Sequence, residues 1–111
     1  MNSLSLEGRE IPLDKDGYLL SLDDWSPAVA AALAQQEALQ LDTGHWEIIQ
    51  LLRDFHAEFQ LSPANRALVR YTALRLGPGK GNSAYLNRLF KGTPAKLASK
   101  LAGLPKPTNC L

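Results

Sequence analysis

Polarity alternates with a period of two near the start of the chain and with a helical period after it. Leu4, Leu6, Ile11 and Leu13 take every second position of Ser3 to Leu6 and Glu10 to Leu13, around Glu7-Gly8-Arg9. Asp14-Lys15-Asp16-Gly17 is a second turn signal before Tyr18-Leu19-Leu20, so the pattern predicts a small N-terminal β meander. So small a sheet is not stable alone, and the rest of the chain must cover it with helices.

An Ala-rich helix begins at Ser21-Leu22-Asp23-Asp24 or at Ser26-Pro27 and runs to about Leu39; the second start puts proline at the first helical position, where an N–H is not needed. Asp42 or Thr43 caps a helix to about Gln60. Ile48, Ile49, Leu51, Leu52, Phe55 and Phe59 share one broad face of it, with Glu47, Asp54 and Glu58 as a solvated edge. Ser62-Pro63 opens a helix to about Leu76, Gly77-Pro78-Gly79-Lys80-Gly81 breaks the chain, and Asn82 caps a short helix through Phe90. Thr93-Pro94 starts the last helix, which Gly103 ends. The expected fold is α+β and mainly helical: a β meander packed on a bundle of about five helices, then a flexible C-terminal arm over residues 103–111.

At 111 residues, 45% hydrophobic and 21% charged, the chain suits one domain, residues 1–111, with a single core. No apolar run approaches the roughly 20 residues that span a bilayer, and Met1 to Glu7 lacks the regions of a secretion signal, so a cytoplasmic protein with no membrane partner is expected. The net charge of +1 hides a division. All 11 carboxylates lie at or before Glu58, against Arg9, Lys15 and Arg53, which leaves −8 on that half. Every charged side chain after it is a cation, from Arg66 to Lys106, summing to +9. Such asymmetry points to an anionic partner, nucleic acid or an acidic protein surface, unless the halves neutralise each other across the fold.

The only cysteine, Cys110, follows Leu104-Pro105-Lys106-Pro107-Thr108-Asn109. Two prolines fix φ and remove two donors, so the arm is expected to be extended, at about 3.1 Å per residue where it is polyproline II-like. That gives the thiol a reach of roughly 20 Å from Gly103, provided the arm does not fold back. One cysteine makes no internal disulfide and no Cys/His cluster has zinc spacing, so neither metal nor other cofactor is expected. The thiol is either incidental to a frayed end or a reactive group presented outward.

Other patterns carry less. His45 and His56 lie three turns apart on one helix, about 16 Å by rise, too far to share a metal. Gly77 to Ser83 lacks the Gly-x-x-x-x-Gly-Lys-Ser/Thr spacing of a phosphate loop and follows a helix rather than a strand. Two helices meeting near Leu61-Ser62-Pro63, the second with Asn65, Arg66 and Arg70, are similar to a helix-turn-helix but offer few base-reading side chains.

Several segments, taken in order, resemble one family. They are Asp16-Gly17-Tyr18-Leu19, His45-Trp46-Glu47-Ile48-Ile49, Leu52-Arg53-Asp54-Phe55, Lys80-Gly81-Asn82-Ser83-x-Tyr85-Leu86 and, above all, Ala102-Gly103-Leu104-Pro105-Lys106-Pro107-x-x-Cys110. This order resembles the DsrC/TusE family of sulfur-carrier proteins over nearly the whole chain. The resemblance implies a mostly helical α+β fold with an N-terminal β element and a mobile arm whose Cys110 is the active residue. DsrC proper carries a second cysteine eleven residues before the penultimate one; here that position is Ser99, whose hydroxyl forms no disulfide or trisulfide. The TusE-like branch is therefore favoured, in which the cysteine takes persulfide sulfur from a TusBCD-type complex and passes it to an MnmA-type tRNA thiouridylase. A DsrC-like paralogue in sulfur oxidation or regulation, and a helix-turn-helix nucleic-acid module, stay open as alternatives. The chain departs from the family pattern at Lys91, where many relatives have proline, and at Asn87, where an aromatic is common.

In thiol chemistry, the Cys110 thiolate attacks a donor persulfide and becomes a persulfide itself, so the chain is a carrier more than an enzyme. Lys106 and the basic half raise the thiolate fraction, and the α-carboxylate of Leu111 lowers it. Arg66, Arg70, Lys80, Arg88 and Lys106 are the candidates for docking an acidic partner or a tRNA-bound acceptor.

Overall fold

A computed structural model describes residues 2–107. β1 (Asn2–Leu6) and β2 (Arg9–Leu13) pair antiparallel, with Leu4 opposite Ile11 and Leu6 opposite Arg9. Glu7 and Gly8 close the hairpin, both at positive φ (51° and 78°), the twist that a two-residue turn requires. The third strand of the expected meander shrinks to one bridge between Leu13 and Leu19. Its turn is tight, because the Asp14 carboxylate accepts from the N–H groups of Asp16 (2.8 Å) and Tyr18 (3.0 Å). Ser21 then caps a 3₁₀ turn at Leu22–Asp24, which leaves no residues to lengthen the ladder.

Both start signals of the Ala-rich segment are used. After the 3₁₀ turn, Ser26 accepts from the Val29 N–H at 3.2 Å and Pro27 opens α1 (Pro27–Gln36). α1 stops short of Leu39 because Ala38 turns left-handed (φ 56°) and the Leu39 N–H returns to the Ala34 carbonyl at 2.9 Å. α2 (Thr43–Phe59) begins at a reciprocal cap: the Asp42 carboxylate accepts from the His45 N–H, and His45 Nδ1 accepts from the Asp42 N–H at 3.0 Å. α3 (Asn65–Leu76) starts later than Ser62-Pro63 predicts. The hydroxyl of Ser62 is engaged by the Pro105 carbonyl instead, and Ala64, without a side-chain oxygen, stands at the cap. α4 (Ser83–Leu89) is capped by Asn82 as expected, and α5 (Pro94–Leu101) follows.

α5 is the hub of the fold, packing on α1, α2, α3 and α4. Six of its eight residues are buried, Leu97 and Leu101 among them, each burial being worth about 1.5–3 kcal/mol. Around it, Leu4 and Ile11 of the hairpin, Leu33 of α1, Leu52 of α2, Leu68 of α3 and Leu86 of α4 complete one core. Of the face predicted for α2, Phe59 alone is exposed, at 47%, on the last residue of the helix. Among the described residues no helix is long and apolar enough to cross a membrane.

Candidate functional site

The C-terminal arm leaves α5 through a closed end. Gly103 turns left-handed (φ 76°), its N–H bonds the Lys100 carbonyl at 3.1 Å, and the Leu104 N–H bonds the Ser99 carbonyl at 3.0 Å. This Schellman arrangement leaves the carbonyls of Leu101 and Ala102 to be satisfied. Side chains from elsewhere do so: Trp25 Nε1–H donates to Leu101 O at 2.8 Å and Arg53 Nη1 donates to Ala102 O at 2.7 Å. The Arg53 guanidinium also lies 4.0 Å from the centre of the Trp25 ring, so the two donors form one stacked unit. Burial pulls the Arg53 pKa below the ordinary arginine value, yet an arginine stays charged and here faces the negative end of α5. A Cβ on Gly103 would stand 2.5 Å from Trp25 Cδ1, so the root of the arm admits only glycine.

Beyond the root, the arm turns back along α5 rather than outward. Leu104 is 1% exposed, the Pro105 carbonyl accepts from Ser62 Oγ, and Lys106 Nζ lies 3.3 Å from Asp16 Oδ2. Pro107 is buried against a small cavity of about 130 Å³ that Asn65, Thr93, Ala95 and Lys96 help to line, at the N-terminal end of α5. The proviso on the reach from Gly103 therefore applies: over residues 104–107 the arm is folded back.

The sequence-predicted site residues fall into three groups. Cys110 lies outside the described residues. Lys80, Arg88 and Lys106 are engaged within the fold: Lys80 with Glu47 at 2.7 Å, Arg88 over the Tyr85 ring at 5.6 Å, and Lys106 with Asp16. The Glu47 hydrogen bond raises the Lys80 pKa above the ordinary lysine value. Arg66 and Arg70 are exposed one turn apart on α3, without an ionic partner among the described residues, beside a basin of about 520 Å³. Asn65 does not stand with them as a polar reader; its Oδ1 accepts from the Ala95 N–H at 2.8 Å, capping α5 where the Thr93 side chain makes no cap bond.

Trp25, Arg53 and Ser62 were not legible as parts of this site. One signal existed, since Arg53 is the only cation between Lys15 and Arg66, on a helix with a broad apolar face. Ser99 is fully buried and its hydroxyl has no hydrogen-bond partner among the described residues. Lys91 has φ 56°, which proline cannot adopt, and its Nζ donates to the carbonyls of Glu37 (2.6 Å) and Ala38 (3.1 Å).

Comparison with known proteins agrees with this geometry. A family model described as "DsrC like protein" matches residues 5–111. The "Sulfurtransferase TusE homolog" of Haemophilus influenzae is 52% identical over 108 residues, 97% of this chain and 99% of its own length. "Sulfurtransferase TusE" of Photorhabdus laumondii is 50% identical over 111 residues, covering all of both chains. Among solved structures, the NMR structure of Allochromatium vinosum DsrC superposes with a TM-score of 0.90 at 44% identity, over 99% of this chain and 98% of that one. The oxidized gamma-subunit of the dissimilatory sulfite reductase (DsrC) from Archaeoglobus fulgidus gives a TM-score of 0.84 at 34% identity, over 99% and 100% of the two chains.

Proposed function

This chain belongs to the DsrC-like family, and from that premise we propose that it is a sulfur-relay carrier of the TusE type, with Cys110 as the residue that bears the sulfur. The donor is a TusBCD-type complex and the acceptor an MnmA-type tRNA thiouridylase, so that the relay ends in 2-thiouridine at the tRNA wobble position. The arm is what supports the reading most directly: a proline-stiffened segment bearing the only thiol, issuing from a root that Trp25 and Arg53 hold in one direction.

The chemistry is an exchange without net redox change. The Cys110 thiolate attacks the outer sulfur of a donor persulfide; a new S–S bond forms on Cys110, the donor's S–S bond breaks, and the donor leaves as a thiolate. The acceptor's thiol repeats the step on the Cys110 persulfide. With Pro107 seated, three residues confine Cys110 to within about 10 Å of it by covalent length alone. Release of the Lys106–Asp16 pair lengthens that lever at little cost, since an exposed ion pair is worth about 0–1 kcal/mol.

Docking falls to Arg66 and Arg70, which are exposed and have no ionic partner among the described residues, so they can meet an acidic partner surface. Intact mass after incubation with a cysteine desulfurase, cysteine and a TusA/TusBCD-type relay tests the reading. A reducible gain of one sulfur atom, about 32 Da, absent in Cys110→Ala, is expected. No gain from a competent relay would remove the carrier assignment. The likeness to DsrC structures supports a second reading, a DsrC-like paralogue, but Ser99 in the place of a second cysteine weighs against two-thiol chemistry.

A further inference from the structure

A second concave site lies beside the arm and is lined with cations. Lys91, Lys96, Lys100 and Lys106 border a cleft of about 320 Å³ between the Asp16 turn, the end of α1 and α5. Two carboxylates share it, Glu37 with Lys100 at 3.1 Å and Asp16 with Lys106 at 3.3 Å. Lys91 meets only the backbone carbonyls of Glu37 and Ala38, a dipole rather than a charge, and Lys96 has no partner among the described residues. Four positive and two negative side chains leave a local excess of +2. The Lys100 side chain is 18% exposed and its Nζ lies 5.3 Å from the centre of the Tyr18 ring, so part of this charge is withdrawn from water. Uncompensated like charges in such a setting repel each other, and an anion seated between them removes that cost.

We propose that this cleft binds a phosphate-class oxyanion, a phosphate group that is free or carried by a nucleotide, with Lys91 and Lys96 as its principal donors and Lys106 closing on it from the arm. Ammonium groups arriving from three separate elements suit a tetrahedral anion, which accepts from every side, better than they suit a planar carboxylate. Tyr18 is 3% exposed and offers no open face on which a base could stack, so the phosphate itself carries the affinity. Because Lys106 belongs to the arm, the bound anion adds a contact between arm and body. Its effect on sulfur delivery rests on the carrier reading above; the binding does not.

The test titrates the full chain with inorganic phosphate, with adenosine monophosphate, and with chloride at matched ionic strength, following the amide resonances of Gly17, Thr93 and Lys96. Saturable shifts are expected for phosphate and the nucleotide, with dissociation constants of roughly 1 mM or tighter and within a few-fold of each other. Lys96→Ala, on an exposed side chain, should weaken both at least tenfold, while Arg66→Ala leaves both unchanged. Saturation by phosphate alone would assign a free-anion site, and by the nucleotide alone a nucleotide site. Shifts that chloride reproduces, or an affinity that survives Lys96→Glu, would overturn the proposal. Loading of Cys110 by a small-molecule persulfide in phosphate-free buffer, which needs no protein docking, reads the carrier thiol separately, and Lys96→Ala should leave it intact.

Discussion

Gly103→Ala isolates what holds the root of the arm. The substitution meets two obstacles, and each has its own magnitude. A left-handed φ of 76° costs a residue with a Cβ about 1–2 kcal/mol. The new Cβ would also stand 2.5 Å from Trp25 Cδ1 and 2.9 Å from Trp25 Cβ and Cγ, so the indole must move. Moving it breaks the Nε1–H bond to Leu101 O, about 0.5–1.5 kcal/mol, and unstacks Arg53, about 0.5–2 kcal/mol. The sum is about 2–5 kcal/mol, which lowers the melting temperature by at least about 10 °C in a domain of this size. Gly92→Ala is the matched control, since Gly92 has φ 85° but no heavy atom within 4 Å of the place its Cβ would take, and only the backbone cost remains. Thermal and urea melts of the two variants should differ by the Trp25 contribution, and the difference should shrink in a Trp25→Leu background. Equal destabilisation by Gly103→Ala and Gly92→Ala would refute the reasoning. In the folded fraction of Gly103→Ala, loading by a small-molecule persulfide should persist while transfer from the protein relay falls, because the thiol is intact and its direction of approach is not.

Thr72→Val should stabilise the fold by about 1 kcal/mol, since the Thr72 hydroxyl is fully buried with no partner among the described residues; a lower urea midpoint would show that the hydroxyl is in fact satisfied. The Asp42 pKa is held below the ordinary carboxylate value, first by the backbone N–H of His45 and against the opposing effect of desolvation. Its contribution to stability is therefore full above the unfolded value of about 3.9 and is lost as pH falls through the lower folded value, so Asp42→Asn, which keeps the cap, should flatten that part of the acid limb in melts between about pH 2 and 6. A slope equal to the parent's would discount the Asp42 cap. Arg66→Glu with Arg70→Glu should slow sulfur transfer to the partner and reduce its dependence on salt without changing the melting temperature; transfer at the parental rate and salt dependence would move docking elsewhere.

What the sequence disclosed is local chemistry, and what it withheld is contact over long separations. Ser26, Asp42 and Asn82 read as caps because each accepts from an N–H three residues on, and Gly103 reads as a helix end because its turn lies within five residues. Ser62 misled for the same reason: Ser-Pro is a local start signal, but its hydroxyl is taken by Pro105, 43 residues away. Asn65 caps a helix 30 residues downstream, and Arg53 and Trp25 reach carbonyls 49 and 76 residues on. No periodicity encodes such pairs. The third strand failed on length, since the Asp14 turn and the Ser21 cap consume the residues on either side of Leu19. The arm's motif was legible to its end, while the position of Cys110 lies outside the described residues.

On the proposed carrier reading, the division of charge along the chain has a use beyond stability. Lys80–Glu47, Arg75–Asp54, Lys100–Glu37 and Lys106–Asp16 each join the basic half to the acidic half, yet all but Lys100–Glu37 are well exposed to solvent, where screening leaves an ion pair little net stabilisation. Their larger effect is on the field outside the molecule. By neutralising four cations they leave Arg66, Arg70 and Lys96 as cations of the second half with no partner among the described residues. Asn65 lines both the basin beside Arg66 and Arg70 and the cavity beside Lys96 and Pro107, so the two depressions adjoin at Asn65, near the described end of the arm. A uniformly basic surface would attract an acidic partner without orienting it, whereas on the proposed carrier reading unpaired cations near the described end of the arm would favour approach on the side that bears the thiol segment. That steering acts on encounter rather than on affinity, and it weakens as salt shortens the range of the field.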